Sequence, residues 1–159
     1  MTIAESQFDS EAELQGWATA NLSRFLGECL YLPSFRITTP SGKHGIPDGF
    51  AFNLTDRTWC CIECEILNHG VWPHIAEQIT RFVVALQNPT TLRIIRDKLF
   101  EQIISDSRAT ELSTALNCGV DRLLQQIELF VEGTPPSIVI FIDDTNQDLV
   151  DFCNALDIP

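Results

Sequence analysis

Apolar residues recur every three or four positions in "SEAELQGWATANLSRFLG", where Leu14, Trp17, Ala18, Leu22 and Phe25 form one stripe. That period predicts an amphipathic helix, with Asp9 or Ser10 to cap its start and Gly27 to end it. The period then shortens. "YLPSFRITTP" reads as a first strand, weakened by its prolines. "DGFAFNL" and "RTWCCIECEIL" flank a polar turn at Thr55 and Asp56, the outline of a β-hairpin. The helical period returns in "NHGVWPHIAEQITRFVVAL", where Pro73 suits a first turn. Ile75, Ile79, Phe82, Val83 and Leu86 share one face there, and His74, Glu77, Gln78 and Arg81 line another. Two further helices are expected, one near Thr91 to Ile104 and one from about Thr110 to Phe130. "SIVIFID", a β-branched apolar run between "TPP" and "DD", predicts an interior strand, and "NQDLVDFCNAL" a closing helix. The order helix, three strands, helices, strand, helix gives an α/β sandwich around a mixed sheet, as a single domain over residues 1–159.

Composition narrows the class. With 45% hydrophobic and 20% charged residues the chain fits an ordinary globular protein. No apolar run approaches the roughly 20 residues that span a bilayer. The acidic start, "MTIAESQFDSEAEL", lacks the pattern of a signal peptide, so no membrane partner and a cytoplasmic location are expected. In that setting the six cysteines are expected as free, mostly buried thiols. Cys61 and Cys64 form a C-x-x-C, but on a strand they point to opposite faces and cannot share a zinc ion. The net charge of −12 argues against a nucleic-acid partner, since phosphate binding draws on a basic surface. It leaves local patches open.

The hairpin carries acids among its apolar residues. With the turn centred on Thr55 and Asp56, residue 54 faces 57, residue 50 faces 61, and Asp48 faces Glu63. Their β-carbons would then lie about 4.5–5.5 Å apart, with Glu65 on the same face. Like charges so placed repel, and a divalent cation removes the repulsion. Magnesium suits such oxygen ligands. A three-residue loop would instead set Gly49 opposite Glu63 and turn Asp48 to the other face. The bland readings are that "PDG" is a turn and that Glu63 and Glu65 are a solvated strand face. Trp59 and Cys61 on that face oppose full solvation.

"IPD" (Ile46, Pro47, Asp48), then a hairpin, then "IECE" (Ile62 to Glu65) resembles the PD-(D/E)XK nuclease-like superfamily. Its signature is an acid after Pro followed by a strand carrying acid-x-Lys, on a restriction-endonuclease-like core of order αβββαβ. The resemblance covers about residues 9 to 86 by motif and the remainder by element order. It implies DNA as substrate and Mg²⁺ (or Mn²⁺) as cofactor. Asp48 and Glu63 would be metal ligands, with the Cys64 carbonyl as a further donor. Glu65 stands where the family usually has lysine. A glutamate there could act as base or extra ligand but supplies no positive charge, which Lys43 or Arg81 would have to bring. "EQITRF" is similar to a glutamine followed four residues later by tyrosine in several nuclease branches. Gln78 then joins the catalytic set, and Phe82 replaces the tyrosine. Glu11 or Glu13 would add an acid from the first helix.

The expected function is therefore Mg²⁺-dependent endonucleolytic hydrolysis of DNA by Asp48, Glu63, Glu65 and Gln78. The alternative is a catalytically inactive nuclease-like fold acting as an interaction or regulatory subunit. A third reading is a metal-binding regulatory domain. A basic patch of Arg24, Arg36, Lys43, Arg57 and Arg81 would favour the nuclease, and an exposed apolar patch after residue 90 the subunit. With so few cations, a nuclease here would draw on a homodimer or a second DNA-binding subunit. Glu77 and Arg81 otherwise read as an i, i+4 ion pair. His44 and His69 read as solvated loop residues, and Asp143 or Asp144 as a helix cap or a second metal position.

Overall fold

The computed structural model describes residues 8–66 and 75–156. His69, Pro73 and His74 lie outside the described residues. The chain is mixed α/β. Its first helix, α1 (Glu11–Leu26), starts where Ser10 Oγ accepts the Glu13 N–H and ends at Gly27, whose φ is +72°. That left-handed conformation favours glycine. Leu14, Ala18 and Leu22 are buried as the stripe predicts, whereas Phe25 is 49% exposed and meets Phe141 edge-on.

Four strands form the main sheet among the described residues: β1 (Leu30–Pro33), β4 (Gly49–Asn53), β5 (Thr58–Glu65) and β6 (Ser137–Ile142). They lie in the order β1-β4-β5-β6, antiparallel except for the parallel β5–β6 pair. The segment read as one strand after residue 30 is split. β1 stops at Pro33, and Ile37–Thr38 (β2) pairs with His44–Gly45 (β3) in a separate two-stranded sheet. A proline cannot donate to the ladder, so the break falls where the chemistry demands it.

The helices after the hairpin are α2 (Ala76–Ala85), α3 (Pro89–Ser105), α4 (Ala109–Ala115), α5 (Leu123–Gly133) and α6 (Gln147–Leu156). The single helix expected from Thr110 to Phe130 is two, α4 and α5, with a 3₁₀ turn at Val120–Arg122. Asn117, at φ +56°, ends the first one. β6 is an edge strand among the described residues, not an interior one. Its continuous apolar run has another cause, for both its faces are covered. Phe141 and Val139 pack with α1, and Ile138, Ile140 and Ile142 with the opposite core. Asn146, rather than Asp143 or Asp144, caps α6 by accepting the Leu149 N–H at 2.9 Å.

Alternation along the strands sorts side chains onto two faces. Ala51, Cys60, Ile62 and Cys64 meet α1 on one. Phe50, Phe52, Trp59 and Cys61 meet Ile79 and Phe82 of α2, Ile95 and Leu99 of α3, and Ile127 and Phe130 of α5 on the other. Cys61 and Cys64 thus face opposite ways, and all six cysteines are free. No helix among the described residues is long and apolar enough to cross a membrane.

Candidate functional site

The hairpin has the register that sets Asp48 beside Glu63: Asn53 pairs with Thr58, Phe50 with Cys61 and Gly49 with Ile62. A four-residue connection, 54–57, fixes it. Asn53 accepts the Asp56 N–H and donates to the Asp56 carboxylate, both at 2.9 Å, while Arg57 takes φ +52°. The regular ladder ends at Gly49. Beyond it the Asp48 N–H turns to the Ile62 carbonyl at 3.0 Å and approaches Glu63 Oε2 at 3.4 Å.

Asp48 is held from three elements. Its Oδ2 accepts the Cys64 N–H of β5 at 2.7 Å, and its Oδ1 accepts Gln15 Nε2 of α1 at 3.0 Å. Its carbonyl accepts the Tyr31 hydroxyl of β1 at 2.9 Å. This is not a solvated turn. Gly49 permits the arrangement, because a β-carbon there would lie 2.4 Å from Tyr31 Cε2 and 2.7 Å from its hydroxyl. Glu63 Oε1 accepts a hydrogen bond from Gln78 Nε2 of α2. Glu63 and Glu65 are both buried, at 4% and 3% exposure, so the solvated-face reading fails for both.

Asp48, Glu63, Glu65 and Gln78 line one cleft of about 370 Å³, together with Glu11, Gln15, Ile46 and Cys64. Burial raises the Asp48 carboxyl above its usual range despite the Cys64 N–H, and the Glu11 charge adds to the rise. Glu63 is pushed up to about 9, first by burial and then by the neighbouring Asp48 and Glu65 charges. Each of those anions disfavours the next.

Of the first-helix acids, Glu11 lines the cleft, while Glu13 turns back to the Asp9 N–H at 3.0 Å. Neither Lys43 nor Arg81 lines it. They border a separate groove, and Arg81 pairs with Glu77 at 2.7 Å as its spacing predicts. Arg57 sits at the far end of the hairpin, donating to the Leu116 carbonyl at 3.0 Å, so it joins no patch around the acids. Asp143 and Asp144 are not among the residues lining the cleft. Sequence reasoning missed Gln15 and Tyr31. Gln15 lies four residues after Glu11 on the same helix face, a spacing that could have exposed it.

Among the described residues, no group of three or more His, Cys, Asp or Glu side chains is arranged to hold a metal ion. Two carboxylates, completed by waters and substrate oxygens, remain a donor set that magnesium accepts. Asp48 and Glu63 line the same cleft. Comparisons of the chain with protein-family models, with curated proteins and with solved structures found no match.

Proposed function

We propose that this chain hydrolyses phosphodiester bonds of nucleic acid, DNA in the first place, on a restriction-endonuclease-like core, with Mg²⁺ or Mn²⁺ held by Asp48 and Glu63. One observation carries the reading: a half-buried carboxyl, Asp48, and a buried one, Glu63, each raised above its ordinary range, line the same cleft. Buried like charges are costly without a compensating cation. A divalent metal would supply that charge, acidify a bound water and offset charge on the scissile phosphate.

The protein's own groups would do the rest. Cys64 N–H and Gln15 fix the Asp48 carboxylate, and Gln78 fixes that of Glu63. Glu65, in the same cleft, would orient the attacking water and take its proton. The second reading is an inactive fold acting as an interaction or regulatory subunit. It is favoured by one observation, that no cation borders the cleft among its lining residues. A homodimer or a second subunit would supply the missing positive charge under the first reading.

Calorimetric titration of Mg²⁺ or Mn²⁺ into wild type and Asp48→Ala, followed by incubation with supercoiled plasmid, separates the two. Binding lost in the variant, with metal-dependent nicking by wild type alone, is the expected result. Wild type that binds no metal would leave the subunit reading in place.

A further inference from the structure

A second cavity is built from the same two segments that supply Ile46 and Gln78 to the acid cleft, and its charged residues are mostly basic. The groove, of about 450 Å³, is lined by Thr39, Ser41, Lys43, Glu77, Thr80 and Arg81, with Ala76 and Val84 adding apolar surface. We propose that it holds the phosphodiester backbone of a nucleic-acid strand beside the phosphate being cut, with Lys43 and Arg81 as its phosphate contacts. The proposal rests on the hydrolytic reading of the cleft and adds to it the path of the substrate.

One bank is the β2–β3 hairpin and the other is α2. The hairpin is tied internally, with the Thr39 N–H on the Lys43 carbonyl at 2.8 Å and the Lys43 N–H on Thr39 Oγ1 at 3.0 Å. It is also tied to the body of the protein, because the Thr38 carbonyl accepts Asn88 Nδ2 at 2.7 Å and Thr91 Oγ1 at 2.9 Å. The banks are close. A β-carbon on Gly45 would meet the Phe82 ring at 2.8 Å, so glycine lets the hairpin seat against α2.

Charge in the groove runs against the chain's balance. Lys43 makes no ion pair among the described residues. Arg81 is paired with Glu77, and its side chain stays 34% exposed. Two cations against one anion leave the groove positive in a chain of net charge −12. Serine and threonine hydroxyls and basic side chains are the groups that usually contact nucleic-acid phosphates. Position completes the argument. Ile46 follows Gly45 of β3, and Gln78 lies between Glu77 and Arg81 on α2; both line the acid cleft. Groove and cleft therefore share both banks, and a strand with one phosphate in the cleft has a basic channel to continue into. An acidic peptide fits less well, having no reason to extend toward Glu63 and Glu65.

The test is fluorescence anisotropy of a labelled mixed-sequence oligonucleotide, single-stranded and duplex, in EDTA so that no cleavage occurs. Near 0.1 M salt, Lys43→Glu is expected to weaken binding of at least one form about tenfold and to lower the salt slope by about 1. Lys98→Glu makes the same change in net charge on α3, away from the groove, and should leave affinity unchanged. Equal losses from the two variants, no binding by wild type at low salt, or stronger competition by a polyglutamate peptide than by unlabelled oligonucleotide would each overturn the proposal. The two readings fail separately. Lys43-dependent binding by a protein that neither takes up metal nor cuts removes the hydrolase and keeps the groove. Cutting indifferent to Lys43 does the reverse.

Discussion

Replacing Glu63 by glutamine should make the metal-free protein more stable at neutral pH. In the fold this carboxyl is pushed up to about 9 from an ordinary value of 4.5. A raised carboxyl holds its proton in the folded chain and loses it in the unfolded one. Its favourable contribution is therefore complete below about pH 4.5 and declines as pH rises toward 9. Worked from those two values, the unfolded chain gains about 3 kcal/mol from ionisation at pH 7 and about 1 kcal/mol at pH 5. Wild type should accordingly lose roughly 2–3 kcal/mol between pH 5 and pH 7 from this group alone. Asp48 is shifted the same way, chiefly by burial. Glu63→Gln keeps an oxygen for the Gln78 bond and has no proton to lose, so its curve should be flatter. The assay is urea unfolding in EDTA at both pH values, followed through tryptophan fluorescence, with the buried Trp59 as reporter. If wild type is equally stable at both pH values, or the variant follows the same slope, the inference that Glu63 is a destabilised anion is wrong.

Two further outcomes follow from the same geometry. Millimolar Mg²⁺ or Mn²⁺ should stabilise wild type by about 2.7 kcal/mol when the metal is at 100 times its Kd, raising the thermal midpoint more at pH 8 than at pH 5; Asp48→Ala should show no such gain. Gly49→Ala drives a methyl group into the Tyr31 ring and should destabilise by about 1–3 kcal/mol. In a Tyr31→Ala background the same Gly49→Ala change should cost less than it does in wild type.

Most of the site's frame was legible because alternation on a strand has a fixed period. "GFAFN" and "TWCCIECE" alternate about a short polar turn, so counting narrowed the register to two choices, and the one that sets Asp48 beside Glu63 is the one found. Gln78 came from helical spacing through the resemblance. What stayed hidden depends on contacts between distant segments. Gln15 reaches Asp48 across 33 residues of chain and Tyr31 across 17; the spacing from Glu11 puts Gln15 on the right helix face, but no local pattern names Asp48 as the partner of either. The edge position of β6 was masked by its composition, since cover on both faces gives the same apolar run as an interior strand. The division between α4 and α5 rests on one asparagine of positive φ, a conformation that asparagine tolerates but does not announce.

The short connection 54–57 lies at the opposite end of the hairpin from the acids, and no atom of it borders the cleft. It nevertheless constrains how this chain can change in length. Phe50 and Phe52 must stay on the same side as Trp59 and Cys61, because both pairs are packed in one core. Inserting one residue in that turn would force a choice between a bulge at the tip and a slip of the whole pairing. The slip would exchange the two faces of a strand, and Asp48 and Glu63 would part company without either being mutated. Loss of the site by descent can thus begin far from any acid, in an insertion that a comparison of motifs alone would score as intact.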